Sequence, residues 1–187
     1  GMGAVSPVVF ADSAFMQKIE DRVVKPTITG LQKEGIDYKG FIFVGIMNVG
    51  GNPFVIEYNA RMGDPETQAV LLRIKRDFVE LLVAAAKGEL DSMKIDIDEH
   101  FAVTIALESG GYPGEYVTGK VIQGLEHTGE AMVFHAGTRR NEETVQTQGG
   151  RVLAISAKGN SLSEARSNAY KTAAMINWDG MYYRKDI

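Results

Sequence analysis

The stretch from Gly40 to Asn59 limits what this chain can become more than any other. Gly40-Phe41-Ile42-Phe43-Val44-Gly45-Ile46-Met47 is an unbroken apolar run, and Pro53-Phe54-Val55-Ile56-Glu57-Tyr58-Asn59 is nearly one. Between them, Asn48-Val49-Gly50-Gly51-Asn52 predicts a hairpin turn, because asparagine and glycine accept the left-handed backbone such turns require. A strand with no polar face is normally covered on both sides. Two strands and one neighbouring helix cannot provide that cover. Either further sheet comes from a piece outside this sequence, which is the expectation, or the later part of the chain packs over the hairpin.

The segments around the hairpin fit a mixed fold. Gly1-Met2-Gly3-Ala4 reads as a flexible glycine-rich loop before Ser6-Pro7; Gly1 is either a tag remnant before an initiator Met2 or the interior of a longer loop. Asp12 or Ser13 caps a helix with Phe15, Ile19, Val23 and Ile28 at helical spacing, and Pro26 predicts a kink or break in it. Asp77 to Lys87 is amphipathic through Phe78, Leu81, Leu82 and Ala85, and Gly88 ends it. The polar segment Leu90 to Glu99 reads as a boundary, which gives domains at 1–96 and 97–187. Beyond it the pattern turns to short strands at Phe101–Leu107, Val121–Ile122, Ala131–His135, Thr144–Thr147 and Arg151–Ala157. A helix opened by Ser161-Leu162-Ser163-Glu164 runs to about Ile176, and a last strand is expected at Met181–Arg184. The fold class is α+β, with a small, mostly antiparallel second domain.

Composition excludes several chemistries. Twenty Lys+Arg against 24 Asp+Glu leave a net charge of -4, which offers no electrostatic footprint for nucleic acid or an anionic membrane. No cysteine is present, so disulfide scaffolds, cysteine nucleophiles and thiolate metal sites are ruled out and a reducing cytoplasm is permitted. Apolar runs such as Leu81–Ala86 are too short to span a bilayer, and no signal peptide is evident.

The segment that carries chemistry is Glu57-Tyr58-Asn59-Ala60-Arg61-Met62-Gly63-Asp64-Pro65-Glu66-Thr67-Gln68. Residues two apart on a strand share a face, so Glu57 and Asn59 point the same way and Arg61 continues that face at the strand end. A carboxylate beside an amide oxygen suits Mg²⁺, which is commonly held by one or two protein ligands together with phosphates and water. The Arg61 guanidinium is suited to clamp a phosphate or carboxylate, and the turn through Gly63 and Pro65 presents backbone amides to an anion. A solvated polar strand face is the competing reading, and spacing alone does not choose between the two.

Gly-Met-Gly-Ala-x-Ser-Pro at 1–7, the hairpin, and the segment 57–68 together resemble the phosphoribosylamine–glycine ligase family, the glycinamide ribonucleotide synthetases of de novo purine biosynthesis, which are ATP-grasp enzymes. The likeness continues through Leu71-Leu72-Arg73-Ile74-Lys75, Gly110-Gly111-Tyr112-Pro113-Gly114-Glu115-Tyr116, Phe134-His135-Ala136-Gly137-Thr138, Gly149-Gly150-Arg151-Val152-Leu153, Trp178-Asp179 and Arg184-Lys185-Asp186. It implies the C-terminal half of an ATP-grasp domain followed by the family's small C-terminal domain. The adenine-binding strand, the nucleotide lysines and the lid would lie in a missing N-terminal part.

By this resemblance Glu57 and Asn59 would be ligands of Mg²⁺ or Mn²⁺ at the ATP phosphates, and Arg61 a catalytic, nucleotide-binding and substrate-binding residue. Gly1, Met2, Gly3, Ala4, Gly63 and Asp64 would line the pocket for glycine and 5-phosphoribosylamine. The implied reaction passes through glycyl phosphate to glycinamide ribonucleotide, ADP and phosphate, with this portion inactive alone. A different ATP-grasp carboxylate–amine ligase is the alternative, which the 110–116 segment argues against; a non-catalytic piece that only binds or associates is another. His100, His127 and His135 show no metal-ligand spacing and read as structural or surface side chains, with His135 packed. Arg73, Lys75 and Arg76 read as a solvated helix face, and Arg139-Arg140 as a turn beside Glu142-Glu143.

Overall fold

A computed structural model of the chain describes residues 1–126 and 128–187, so the reading of His127 lies outside the described residues. In chain order the elements are β1 (Gly3–Ser6), α1 (Ser13–Ile19), a π-helical turn (Glu20–Val24), α2 (Lys25–Lys33), β2 (Phe43–Val49), β3 (Asn52–Asn59), α3 (Glu66–Leu71), α4 (Phe78–Lys87) and a 3₁₀ turn (Leu90–Ser92). There follow β4 (Phe101–Ser109), β5 (Met132–His135), β6 (Thr138–Asn141), β7 (Thr144–Thr147), β8 (Arg151–Gly159), α5 (Leu162–Ala173) and β9 (Met181–Tyr182). They form two compact units that are not contiguous in sequence. One combines Gly1–Ser6, Asp64–Lys75 and Ile97–Ile187, and the other combines Pro7–Gly63 and Arg76–Asp96. The chain therefore changes unit at 96/97, where the sequence suggests a boundary, and also at 6/7, 63/64 and 75/76.

The first unit is built on a five-stranded antiparallel sheet in the order β1-β4-β8-β5, with β9 pairing the far end of β4. Every residue from Ala102 to Ser109 is buried, so β4 is covered on both faces. Val103, Ile105 and Leu107 point one way and pack with Ala165, Ala169 and Ala173 of α5; the alanines let the helix lie close to the sheet. The alternate positions Ala102, Thr104 and Ala106 are small, and α3, whose Ala69 is buried, is the other helix that packs on β4 and β8. The Thr104 and Ser156 hydroxyls satisfy one another at 2.8 Å inside this layer. Helix α5 opens as the sequence suggests. The Ser161 hydroxyl accepts from the Glu164 N–H at 3.1 Å, and the Glu164 carboxylate accepts from the Asn160 N–H at 2.8 Å.

Four sequence expectations change in this unit. Gly3 and Ala4 are not in a flexible loop but in edge strand β1, opposite Ile105 and Thr104. No apolar pattern marks so short a strand; it exists because β4 offers an unpaired edge. Arg139 and Arg140 lie in β6 rather than in a turn, paired to β7. Arg73 is not part of a solvated face: its Nε donates to the carbonyls of Asp98 and His100, each at 3.0 Å, and its Nη1 to the Ser6 hydroxyl at 2.8 Å. His135 is exposed rather than packed, with Nδ1 3.0 Å from the Thr138 hydroxyl.

The second unit carries the hairpin. Its turn is Gly50-Gly51, both with left-handed backbone (φ 57° and 74°), which is the twist a two-residue hairpin connection needs. Both faces of β3 remain open: Val55 on one side is 40% exposed and Ile56 on the other 63%. Against β3 runs one helical path. The Asp12 carboxylate caps it by accepting from the Phe15 N–H at 2.8 Å, and Phe15 and Val23 are buried, whereas Ile28 is 49% exposed. Pro26 breaks the regular hydrogen-bond register without ending the path. Pro26 has no N–H to donate, and the wider π turn just before it carries Lys25 N–H to the Glu20 carbonyl while the Thr27 hydroxyl reaches the Val23 carbonyl at 2.6 Å. Helix α4 begins at the Asp77 cap and ends at left-handed Gly88, as its sequence indicates.

In the first unit Asp98 is a buried junction. Its carboxylate accepts from Lys158 Nζ at 2.9 Å and from the His100 backbone and ring N–H groups, and these partners, Lys158 foremost, hold it well below the usual carboxylate range. A depressed acid stabilises the fold above its unfolded pKa and loses that contribution as pH falls. We expect the Tm of the chain to fall on acidification below about pH 4, and Asp98→Asn to have a lower Tm at neutral pH and a flatter acid limb. Thermal melts of both chains from neutral to acidic pH check this.

Candidate functional site

The second unit presents the polar face of β3. Glu57 lies opposite Gly45, and its Cγ would be 3.0 Å from a Cβ at that position, so the missing side chain at Gly45 leaves the room Glu57 occupies. Arg61 sits on the same side as Asn59: its Nη2 donates to Asn59 Oδ1 at 3.2 Å and its Nη1 to the Met62 carbonyl at 2.9 Å. The expected alternation thus brings an amide oxygen and a guanidinium together at the end of β3. The Asn59 oxygen keeps a second lone pair beyond the one given to Arg61. Among the described residues no group of three or more histidines or acids converges. A cation at Glu57 and Asn59 would therefore complete its shell with water or phosphate oxygens, which is the habit of Mg²⁺ and not of an all-protein cage. The donor set fits the metal the sequence suggests.

The remaining expected site residues lie in the first unit, except Gly63, which is buried in the second. Gly1 lies against Pro65, where a Cβ would meet the proline ring at 2.6 Å, so the backbone approaches closer than any side chain allows. The Met2 carbonyl accepts from the Ala106 N–H at 3.0 Å, and Gly3 and Ala4 continue into β1. Asp64 is held by Arg151, with Nη2 2.8 Å from its Oδ2.

In the sequence Arg151 stands only within the Gly-Gly-Arg-Val-Leu motif, and nothing adjacent to it indicates a task. The signal available was an arginine placed directly after two glycines at the start of an apolar strand. Behind it lies Glu108, 1% exposed, opposite Arg151 in the β4–β8 register. Neither of its carboxylate oxygens has a hydrogen-bond partner. Burial pushes its pKa up, partly offset by the Arg151 charge.

Comparison with known proteins gives a consistent result. The sequence profile of the phosphoribosylglycinamide synthetase ATP-grasp (A) domain matches residues 1–67, and that of the phosphoribosylglycinamide synthetase C domain matches residues 102–187. A phosphoribosylamine–glycine ligase of Caldanaerobacter subterraneus is 45% identical over 187 residues, covering 100% of this chain and 45% of that protein. The enzyme of that name from Escherichia coli K12 is 44% identical over 191 residues, covering 100% of this chain and 44% of that protein. The crystal structure of phosphoribosylamine–glycine ligase from Thermotoga maritima superposes with a TM-score of 0.88 at 35% identity, over 100% of this chain and 46% of that one. Urea carboxylase of Kluyveromyces lactis, at 13% identity and TM-score 0.70, shares the fold alone. The chain spans less than half the length of the curated relatives it matches.

A carboxylate whose pKa is raised on folding costs stability as pH rises past its unfolded value. Glu108→Gln removes that cost while keeping the shape. We expect it to raise Tm by about 2–4 °C at neutral pH and to have little effect in acid, where Glu108 is already protonated. Paired melts at the two pH values check this.

Proposed function

Since this chain belongs to the phosphoribosylglycinamide synthetase family, we propose that it forms part of an enzyme joining glycine to 5-phosphoribosylamine at the expense of ATP. The observation that supports this most is the Glu57, Asn59 and Arg61 arrangement at the end of β3, on a chain aligned throughout with ligases of that name. In the proposed reaction the glycine carboxylate takes the γ-phosphoryl group of ATP, releasing ADP. The amine of phosphoribosylamine then attacks the acyl phosphate, forming the amide and releasing phosphate.

Charge on the transferring phosphoryl oxygens is the quantity to be stabilised. Glu57 and Asn59 would hold the divalent cation, Mg²⁺ or Mn²⁺. When bound, that cation supplies neutralisation of the phosphate oxygens. Arg61 would supply a second, fixed positive charge, already steadied by the Met62 carbonyl and Asn59. Asp64 and the strand from Gly1 to Ala4, with Gly63, would frame the two organic substrates. No nucleophilic side chain is required.

Two further points belong to the same reading. The open apolar faces of β2 and β3 are what additional chain would cover, and relatives more than twice as long carry such chain. We therefore propose that the chain works together with an N-terminal part supplying the adenine site, that it is inactive alone, and that the evolutionary domains are 1–96 and 97–187. A cytoplasmic setting is proposed on the same footing; among the described residues no helix is long and apolar enough to cross a membrane.

The test is ADP release by the intact enzyme that carries this chain, with glycine and phosphoribosylamine together or singly. ADP is expected only with both. Glu57→Gln should lower the rate by about 10²–10³-fold and weaken dependence on added Mg²⁺. ADP formation with another acid or amine would move the chain to a different carboxylate–amine ligase. A fully active Glu57→Gln enzyme would leave β3 with an ordinary solvated face.

A further inference from the structure

Arg151 opens β8 where three of the sequence motifs meet. The Ser109 N–H donates to the Gly150 carbonyl at 2.7 Å and the Ser109 hydroxyl to the Gly149 carbonyl at 2.9 Å. The Gly137 N–H donates to the Arg151 carbonyl at 3.0 Å, and the Gln148 N–H to the Gly137 carbonyl at 2.7 Å. The Gly110 N–H donates to the Gly180 carbonyl at 2.7 Å. A Cβ on Gly150 would lie 2.0 Å from the Tyr112 ring, so that ring occupies the space a side chain would need. The Gly-Gly-Tyr-Pro-Gly, His-Ala-Gly-Thr and Gly-Gly-Arg segments, which the reaction above leaves without a task, thus share one result. They fix the backbone from which the Arg151 side chain extends.

From that base the guanidinium holds two segments far apart in sequence. Nη1 donates to the Gly1 carbonyl at 3.2 Å and to the Asp64 carbonyl at 3.1 Å, and Nη2 donates to Asp64 Oδ2 at 2.8 Å. A planar guanidinium serves a carboxylate and two carbonyls in one fixed geometry, which a lysine ammonium cannot reproduce.

We infer that Arg151 is a positioning residue for substrate binding: it ties the Gly1 segment to Asp64 and takes Oδ2, so that Asp64 offers Oδ1 to a substrate amine. Its kinetic consequence rests on the function proposed above; the clamp itself rests on the geometry of this unit. The amine is that of glycine or that of phosphoribosylamine, and both are primary amines a carboxylate can hold. Arg151 acts through Asp64 and not on the reacting atoms.

The kinetic test uses the intact enzyme with Arg151→Ala, Arg151→Lys, Asp64→Ala and the double alanine variant. Arg151→Ala should raise KM for one amine substrate about 10-fold or more while KM for ATP stays within about twofold, and Arg151→Lys should recover only part of the loss. A rise confined to glycine places the amino-acid amine at Asp64, and a rise confined to phosphoribosylamine places the sugar amine there. The double variant should be no worse than Asp64→Ala, because the two act as one unit. Unchanged KM for both amines, or losses that simply add, overturns the assignment.

A second measurement does not depend on ligase activity. In the 187-residue chain, hydrogen exchange at the amides of Met2–Ala4 and Glu66–Gln68 should quicken about 10-fold in Arg151→Ala while Val103–Leu107 is unchanged. Unaltered exchange in both segments overturns the clamp. If the intact enzyme uses other substrates, the proposed function fails while the exchange result still decides whether Arg151 holds these segments.

Discussion

The antiparallel pairing of β4 with β8, buried on both faces, is the constraint on which the first unit depends. A strand with no solvent side needs two covers and two partners. α5 covers the large side chains through its alanines, and β1 takes the edge of β4 opposite β8. The pairing also decides where polar chemistry collects. At one end of β8, Lys158 meets Asp98; at the other, Arg151 faces Glu108 and holds Asp64. Charged groups accumulate at the ends because the middle of the ladder is occupied by Ile105, Ile155 and their apolar neighbours.

The second unit has the opposite character. Its two strands pair with one another but leave apolar side chains open on both faces, and α1 lies against β3. Hydrophobic surface of this extent on so small a sheet is expensive in water, which is why it reads as a surface made for more chain. Its polar residues, Glu57, Asn59 and Arg61, cluster at the outgoing end of β3, just before the chain crosses into the other unit at Gly63–Asp64.

Local signals in the sequence were reliable wherever one short stretch decides the outcome. The Asp77 cap and the Gly88 stop bound α4, Ser161 and Glu164 open α5, and the glycine pair turns the hairpin. They were unreliable where a partner distant in sequence decides. β1 has no strand pattern of its own, Arg73 looks like any solvated cation, and Ile28 fits a helical stripe but stays exposed. The same split runs through the candidate site. Alternation along β3 shows that Glu57, Asn59 and Arg61 share a face, because side-chain direction on a strand is a local property. Nothing local connects Arg151 to Gly1 or Asp64.

The α+β class, the main elements, the lack of cysteine chemistry and the polar face of β3 are all legible in short stretches of residues, since propensity, capping and period act within a few residues. Tertiary structure decided the interleaving of the two units, the capture of Gly3–Ser6 as an edge strand, the burial of Glu108 without a partner and the grip of Arg151 on Asp64. These depend on which strand lies beside which. Backbone pairing and long side chains bring together residues separated by most of the chain, and no pattern within a short window records such a meeting.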